Sequence, residues 1–332
     1  MMTRGRTRAR THLLLAGGLI VIAGTGCDNV AWGGASLDLR SPALPDIPPD
    51  SELIPDLPAD PVLPAGELLF FITLDRGSAN AIPLGFVNPE GASELPPIDN
   101  PRYGPLLQER LESVKELTLF REGNRAGTMI VSGPGDPDRF CPTLPRLQGT
   151  AELRQDLGEI SDDYGYLAMP RSDRFAEHGD VRPPPARREV RGASLTMAGN
   201  LINEVGAVWP PSVLGIRRDI RLFRAEEGLG VAASFLYRDQ LDTGAPPAGS
   251  YSIFVLGEER PDSIHATYTD FHRSGTDGKL APRLIGQLDW DGDGEDEVAL
   301  ALLSQGRRGF RLLDRAGDVF VDALEVGCGV PE

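Results

Sequence analysis

Histidine is scarce in this chain, with four residues in 332, and the first of them, His12, falls in the opening dozen. His178, His265 and His272 stand singly, so the HExxH pairing that builds a zinc hydrolase site is missing. A GxSxG nucleophile elbow, a GxxxxGK phosphate loop and a dinucleotide glycine fingerprint are also absent. Ser194, in Gly192-Ala193-Ser194-Leu195, lacks the second glycine of an elbow. No apolar run reaches the roughly 20 residues that a transmembrane helix needs. Bases are in deficit as well: 33 Lys and Arg against 49 Asp and Glu leave a formal charge of −16. Such a chain repels phosphate backbones and attracts divalent cations, so no nucleic-acid partner is expected. Aromatics make up only 6% and cysteines number three.

What is present begins with Arg4, Arg6, Arg8 and Arg10, free of acidic neighbours, followed by the apolar run from Leu13 to Ala23. That order of charge then grease is the order of a secretion signal. Gly24-Thr25-Gly26-Cys27 follows, and it resembles the lipobox of bacterial lipoproteins, in which small residues precede a cysteine that is acylated and becomes the new N-terminus. Gly24 stands where that family usually has Leu or another apolar residue. The resemblance implies a signal peptide over residues 1–26, a lipid on Cys27, and a cell-envelope location on a membrane face. Ordinary cleavage at Gly33-Gly34-Ala35 is the alternative. With Cys27 given to lipid, Cys141 and Cys328 remain as an even pair in a compartment that permits disulfides; two unrelated buried thiols are the other reading.

Residues 27–66 contain SPALPDIPPDSELIPDLPADPVLP, with proline every few positions, acids between and no aromatic, which reads as an extended stalk. Structure is expected from Glu67, where ELLFFITL forms a β-prone run. The stretch onward to Pro105 reads as loop. Leu107, Leu111 and Val114 recur at helical spacing, ahead of the strand-like ELTLF and GTMIV. RPPPARREVR, from Arg182 to Arg191, reads as a solvated connection between an N-terminal β-rich region over 67–181 and a C-terminal β domain over 192–332, with contact to an anion as the alternative for its arginines. Strand candidates then follow closely: DIRLF, GVAASFLY, YSIFVLG, IHATYTDF, RLIGQL, EVALALL, GFRLLD and DVFVDAL. The expected fold is mainly β, with antiparallel sheets and one or two short helices. Its C-terminal region is expected to be propeller-like or a sandwich.

Chemistry concentrates in Asp289-Trp290-Asp291-Gly292-Asp293-Gly294-Glu295-Asp296-Glu297. Calcium takes six to eight oxygen ligands at about 2.3–2.6 Å, and alternating carboxylates on a curled backbone deliver them to one point. An EF-hand would need an acid at position 12, which is Leu300. With RLIGQL before it and EVALALL after, the segment from Arg283 to Val319 resembles an FG-GAP repeat, of the VCBS-like kind found in integrin-type and bacterial β-propellers. The resemblance implies calcium bound by the side chains of Asp289, Asp291 and Asp293, by the backbone carbonyl of Glu295, and by Glu297, which replaces the family's usual Asp or Asn. No second copy of the repeat is found, so a calcium-stapled hairpin is expected rather than a closed propeller.

The expected role is a lipid-anchored envelope protein with a structural calcium loop, acting as a binding or structural module for a protein or glycan. No catalytic residue is assigned. The competing class is an extracytoplasmic hydrolase that works through carboxylates in a cleft.

Overall fold

The structure, a computed structural model, describes residues 60–329 except 76, 155–164, 171–181, 183, 227, 276 and 277. Residues Ala59–Glu332 form one unit, distinct from Met1–Pro58. The expected signal segment, Cys27 and most of the proline-rich stretch lie outside the described residues.

The first half is a closed barrel. Strands β1 (Glu67–Asp75), β7 (Tyr166–Pro170), β4 (Glu116–Arg121), β5 (Asn124–Pro134), β6 (Leu147–Leu153) and β2 (Ser78–Asn88) pair in that order, and β2 returns to β1 from Glu67↔Val87 to Asp75↔Ser78. Every pairing is antiparallel, and closure leaves the barrel without an open edge. A short β3 (Gly91–Ser93) hangs on β2. Along β1 the pleat sends Leu68, Phe70 and Ile72 inward, while Leu69 and Phe71 point out to a second cluster. Helix α1 (Gly104–Ser113) adds Leu107 and Leu111 to the inner cluster, joined by Val114 just past its end. The expected helix is thus in place.

The expected loop after β1 is instead β2. Its proline and glycines suggested a break, yet Ala79, Ala81, Ile82, Leu84, Phe86 and Val87 are all buried. Pro83 sits beside a bulge where the β1–β2 register shifts, so its missing N–H costs the ladder little.

The second half is two four-stranded antiparallel meanders. One runs β8 (Arg217–Ala225), β9 (Gly228–Tyr237), β10 (Tyr251–Glu259), β11 (Ile264–Arg273); the other runs β12 (Ala281–Leu288), β13 (Glu297–Ser304), β14 (Arg307–Ala316), β15 (Val319–Val326). The strands β12 and β13 and the middle of β14 are buried on both faces, while the edge strand β15 is largely exposed. Val298, Leu300 and Leu302 pack on Phe223, Phe254 and Leu256 of the first meander, while Ala299, Ala301, Phe310 and Leu312 pack on the outer wall of the barrel. This double burial is why EVALALL carries no polar alternation.

Helix α2 (Arg188–Glu204) covers the outer face of the β8–β11 sheet, setting Met197, Ala198, Leu201 and Ile202 against Phe235, Tyr251, Ile253 and Val255. The connection expected through Arg191 therefore ends at Arg187. Val190, Ser194, Met197, Ala198, Leu201 and Ile202 form a buried stripe at helical spacing, which the arginines and glycines of the first turns disguise in the sequence. A one-turn helix, α3 (Val213–Ile216), leads into β8.

Cys141 and Cys328 form a disulfide across 187 residues, both nearly fully buried in the cluster between barrel and β12–β15 sheet. A second tie is the β4–β5 hairpin tip. Its two turn residues, Glu122 and Gly123, have φ of 50° and 70°, where Asn-Gly would be the easy choice. Glu122 instead uses its length to reach Arg221 of β8 at 2.8 Å. The Gly123 amide donates to the Gln287 carbonyl at 3.2 Å, and a Cβ there would lie 2.9 Å from Asp296 Oδ2. Gly123→Ala is accordingly expected to lower stability by about 1–2 kcal/mol, read as a lower urea midpoint at unchanged slope.

Candidate metal centre

The acidic loop joins β12 to β13 and is folded by its own carboxylates. Asp289 accepts from the Gly292 amide at 2.7 Å and the Gly294 amide at 3.1 Å. Asp291 accepts from Asp293 N at 3.0 Å, and Asp293 from Glu295 N at 2.7 Å. Gly292 and Gly294 take φ of 86° and 96°, a region that side chains resist, and so let the loop curl back on itself. Trp290 is the anchor: its ring is buried in the cluster shared with the barrel, and its amide donates to Glu297 Oε2 at 2.8 Å.

This curl brings carboxylate oxygens of Asp289, Asp291 and Glu297 within 4.8 Å of one another. Two oxygens bound to one calcium at about 2.6 Å can stand at most about 5.2 Å apart, so the spacing of the three is compatible with a shared ion. Of the remaining expected ligands, the Asp293 carboxylate lies outside this group, and the Glu295 carboxylate turns to Arg315 Nε at 3.6 Å. The role expected of Glu295 belongs to its carbonyl.

Electrostatics at the loop show crowded negative charge in a poorly solvated place. Burial pushes the Glu297 carboxyl up to about 9, opposed by the Trp290 amide and reinforced by Asp291, Asp289 and Asp293. Burial, followed by the charge on its aspartate neighbours, also raises Asp291. Asp314 on β14 is raised by burial first and then by Asp291 and Asp293, so it belongs to the same field, although nothing in the sequence pattern links it to the loop. An ion with two positive charges would answer all of these at once.

Beside the loop, a cleft of about 400 Å³ opens where barrel, first meander and second meander meet. Glu122, Glu226, Glu258, Glu295 and Asp296 contribute to its wall. Burial raises Asp296 to about 6, partly offset by a 2.8 Å hydrogen bond from Gln287. Several of these acids already have structural partners: Glu122 pairs with Arg221, and Glu258 with Arg315 across two sheets. Gln287 and Arg315 carry no signal in the sequence because Arg224 and Glu258, which they meet, are distant along the chain. Of the other singled-out residues, Ser194 is buried and donates to the Arg191 carbonyl at 2.8 Å, which makes it part of α2 packing. His265 is exposed beside Ser263 and Asp262, and His272 bonds the Gly278 carbonyl at 3.0 Å.

No protein-family model, curated protein or solved structure matches this chain. The class it defines by its own architecture is a mainly β protein, a six-stranded barrel joined to two packed antiparallel meanders. Within that class its distinguishing feature is the acidic, glycine-curled loop between the first two strands of the inner meander.

Proposed function

We propose that this chain is an exported, lipid-anchored cell-envelope protein whose Asp289–Glu297 loop binds one calcium ion as a structural staple. In this reading the folded part serves as a binding or structural module for a protein or glycan partner. The observation that carries the calcium assignment is the convergence of Asp289, Asp291 and the buried Glu297 on one ion-sized space. The FG-GAP-like reading draws support from the loop's place between the first two strands of a four-stranded meander, the shape of a propeller blade. Among the described residues only two such meanders occur and the barrel takes the place of others, so the staple is local rather than part of a ring.

Calcium here would hold the start of β13 to the end of β12 and neutralise Glu297 beneath the sheet. The proposed ligand set is oxygen throughout, carboxylates together with the Glu295 backbone carbonyl. The anchor reading rests on the arginine-rich leader and on Gly24-Thr25-Gly26-Cys27. No helix among the described residues is long and apolar enough to cross a membrane.

Cys27→Ser is expected to move the protein from the membrane to the soluble fraction of fractionated cells without changing its melting temperature. Equal membrane association of both forms would overturn the anchor. The hydrolase reading is favoured by one observation, the carboxylate-lined cleft with Asp296 raised to about 6. Asp296→Asn would have to abolish any hydrolysis attributed to that cleft.

A further inference from the structure

The arginines from Arg187 to Arg191 acquire a purpose once α2 is in place. Arg188 and Arg191 are exposed on its first turn, and Arg217, at the start of β8, comes up beside them, its Nη1 3.5 Å from the Arg191 carbonyl. The three guanidinium groups border one shallow depression whose floor includes Gly192, Leu195 and Leu214. None of the three has a carboxylate partner among the described residues. Burial, and then the neighbouring Arg191 charge, lower Arg217, as expected where like charges are held together without a counter-ion. The nearby acids are engaged or turned away. Glu259 pairs with Arg187 at 2.8 Å, Asp219 with Arg283 at 3.0 Å, and Glu204 lies at the far end of α2, leaving Glu189 as the one exposed acid on the first turn.

Two large apolar side chains stand exposed on the same face: Leu214, at 55%, lines the depression itself, and Trp209, at 51%, lies further along α2. The Trp209 ring lies over Gly199, where a Cβ would be 3.6 Å from it, on the same helix face as Leu195 and Gly192. A −16 chain that exposes a local basic cluster with Leu214 at its floor and Trp209 further along the same helix face has the makeup of an interfacial surface: arginine for anionic headgroups, Trp and Leu for the headgroup–acyl boundary.

We propose that the α2–α3 face, through Arg188, Arg191, Arg217, Trp209 and Leu214, docks on an anionic lipid surface. Charge complementarity selects this occupant, since an acidic chain as a whole is repelled by such a surface and this cluster of arginines without carboxylate partners is matched to it. The envelope reading supplies the membrane in the cell, but the docking itself needs no lipid on Cys27, so the two fail separately. The test uses the chain from residue 27 with Cys27→Ser, which retains the whole unit Ala59–Glu332. Its partitioning onto vesicles of phosphatidylcholine with about one-third phosphatidylglycerol is compared with that of Arg188→Gln/Arg191→Gln/Arg217→Gln. The parent is expected to bind, to blue-shift the fluorescence that Trp209→Phe removes, and to release at high salt. The triple variant should bind about a hundredfold more weakly, from roughly fivefold for each arginine near the surface. Pure phosphatidylcholine vesicles should bind neither. Equal binding by parent and variant, or no binding of the parent beyond that to phosphatidylcholine, overturns the proposal; the salt dependence of the parent is a readout that requires no variant to fold.

Discussion

Calcium at about a hundred times its dissociation constant is expected to stabilise the fold by roughly 2.7 kcal/mol, and so to raise the melting temperature by roughly 5–10 °C for a unit of this size. A chelator should reverse the rise. The expectation follows from the loop, where Asp289, Asp291 and Glu297 are gathered within ion-binding distance and the fold must tolerate their mutual repulsion. The same geometry sets the pH dependence. Burial raises Glu297 from the ordinary 4.5 to about 9, so the metal-free fold holds its proton more tightly than the unfolded chain does. The stability this contributes is complete below about 4.5 and is lost as pH rises through about 9. Calcium needs the carboxylate, so the calcium-induced rise in melting temperature should be small at pH 5 and grow steadily toward pH 8–9. Asp289→Asn keeps an acceptor for the loop amides but removes a charge, and it should weaken binding by at least about tenfold. A calcium effect that shrinks as pH rises would contradict the assignment of Glu297 as a ligand.

Removing the Cys141–Cys328 bond should have an effect at least as large. On the chain-entropy view, closing a loop of 187 residues restricts the unfolded state by about 5 kcal/mol, and measured values for native disulfides run from about 2 to 5. The bond also fastens the segment after β5 to the chain leaving β15, where the Arg308 amide already donates to the Phe140 carbonyl at 2.8 Å. Urea unfolding under reducing and oxidising conditions compares the two states without altering side-chain volume. The reduced protein should unfold at a clearly lower midpoint. A coincident midpoint would show that packing of the β12–β15 sheet against the barrel suffices by itself.

The fold was most legible where burial is one-sided or continuous. The strands of both meanders stand in the sequence as short apolar runs separated by Gly- and Asp-rich turns, and α1 declares itself through Leu107, Leu111 and Val114. Two elements were hidden for different reasons. In β2, Pro83 and Gly85 mimic a loop, and only the bulge opposite β1 makes them compatible with a strand. In α2, two glycines and a cluster of arginines cover an apolar stripe whose periodicity appears only once the first turn is correctly placed.

The barrel itself could not be read from local pattern, since β7 and β6 are short and closure depends on pairings between distant strands. The acidic loop was visible because its spacing is its chemistry, whereas Asp314 enters the same field only through tertiary contact. Trp290 is the residue that links the two levels. In the sequence it interrupts a run of acids; in the fold it buries the loop's root against the barrel and fixes Glu297 through its amide.

The most direct test of the calcium staple is titration calorimetry of the metal-free protein at pH 8, alongside Asp289→Asn/Asp291→Asn. One calcium ion bound per chain, absent in the double variant, is the predicted result. No heat of binding at millimolar calcium, with a melting temperature indifferent to chelator, would contradict it and leave the loop as a solvated turn.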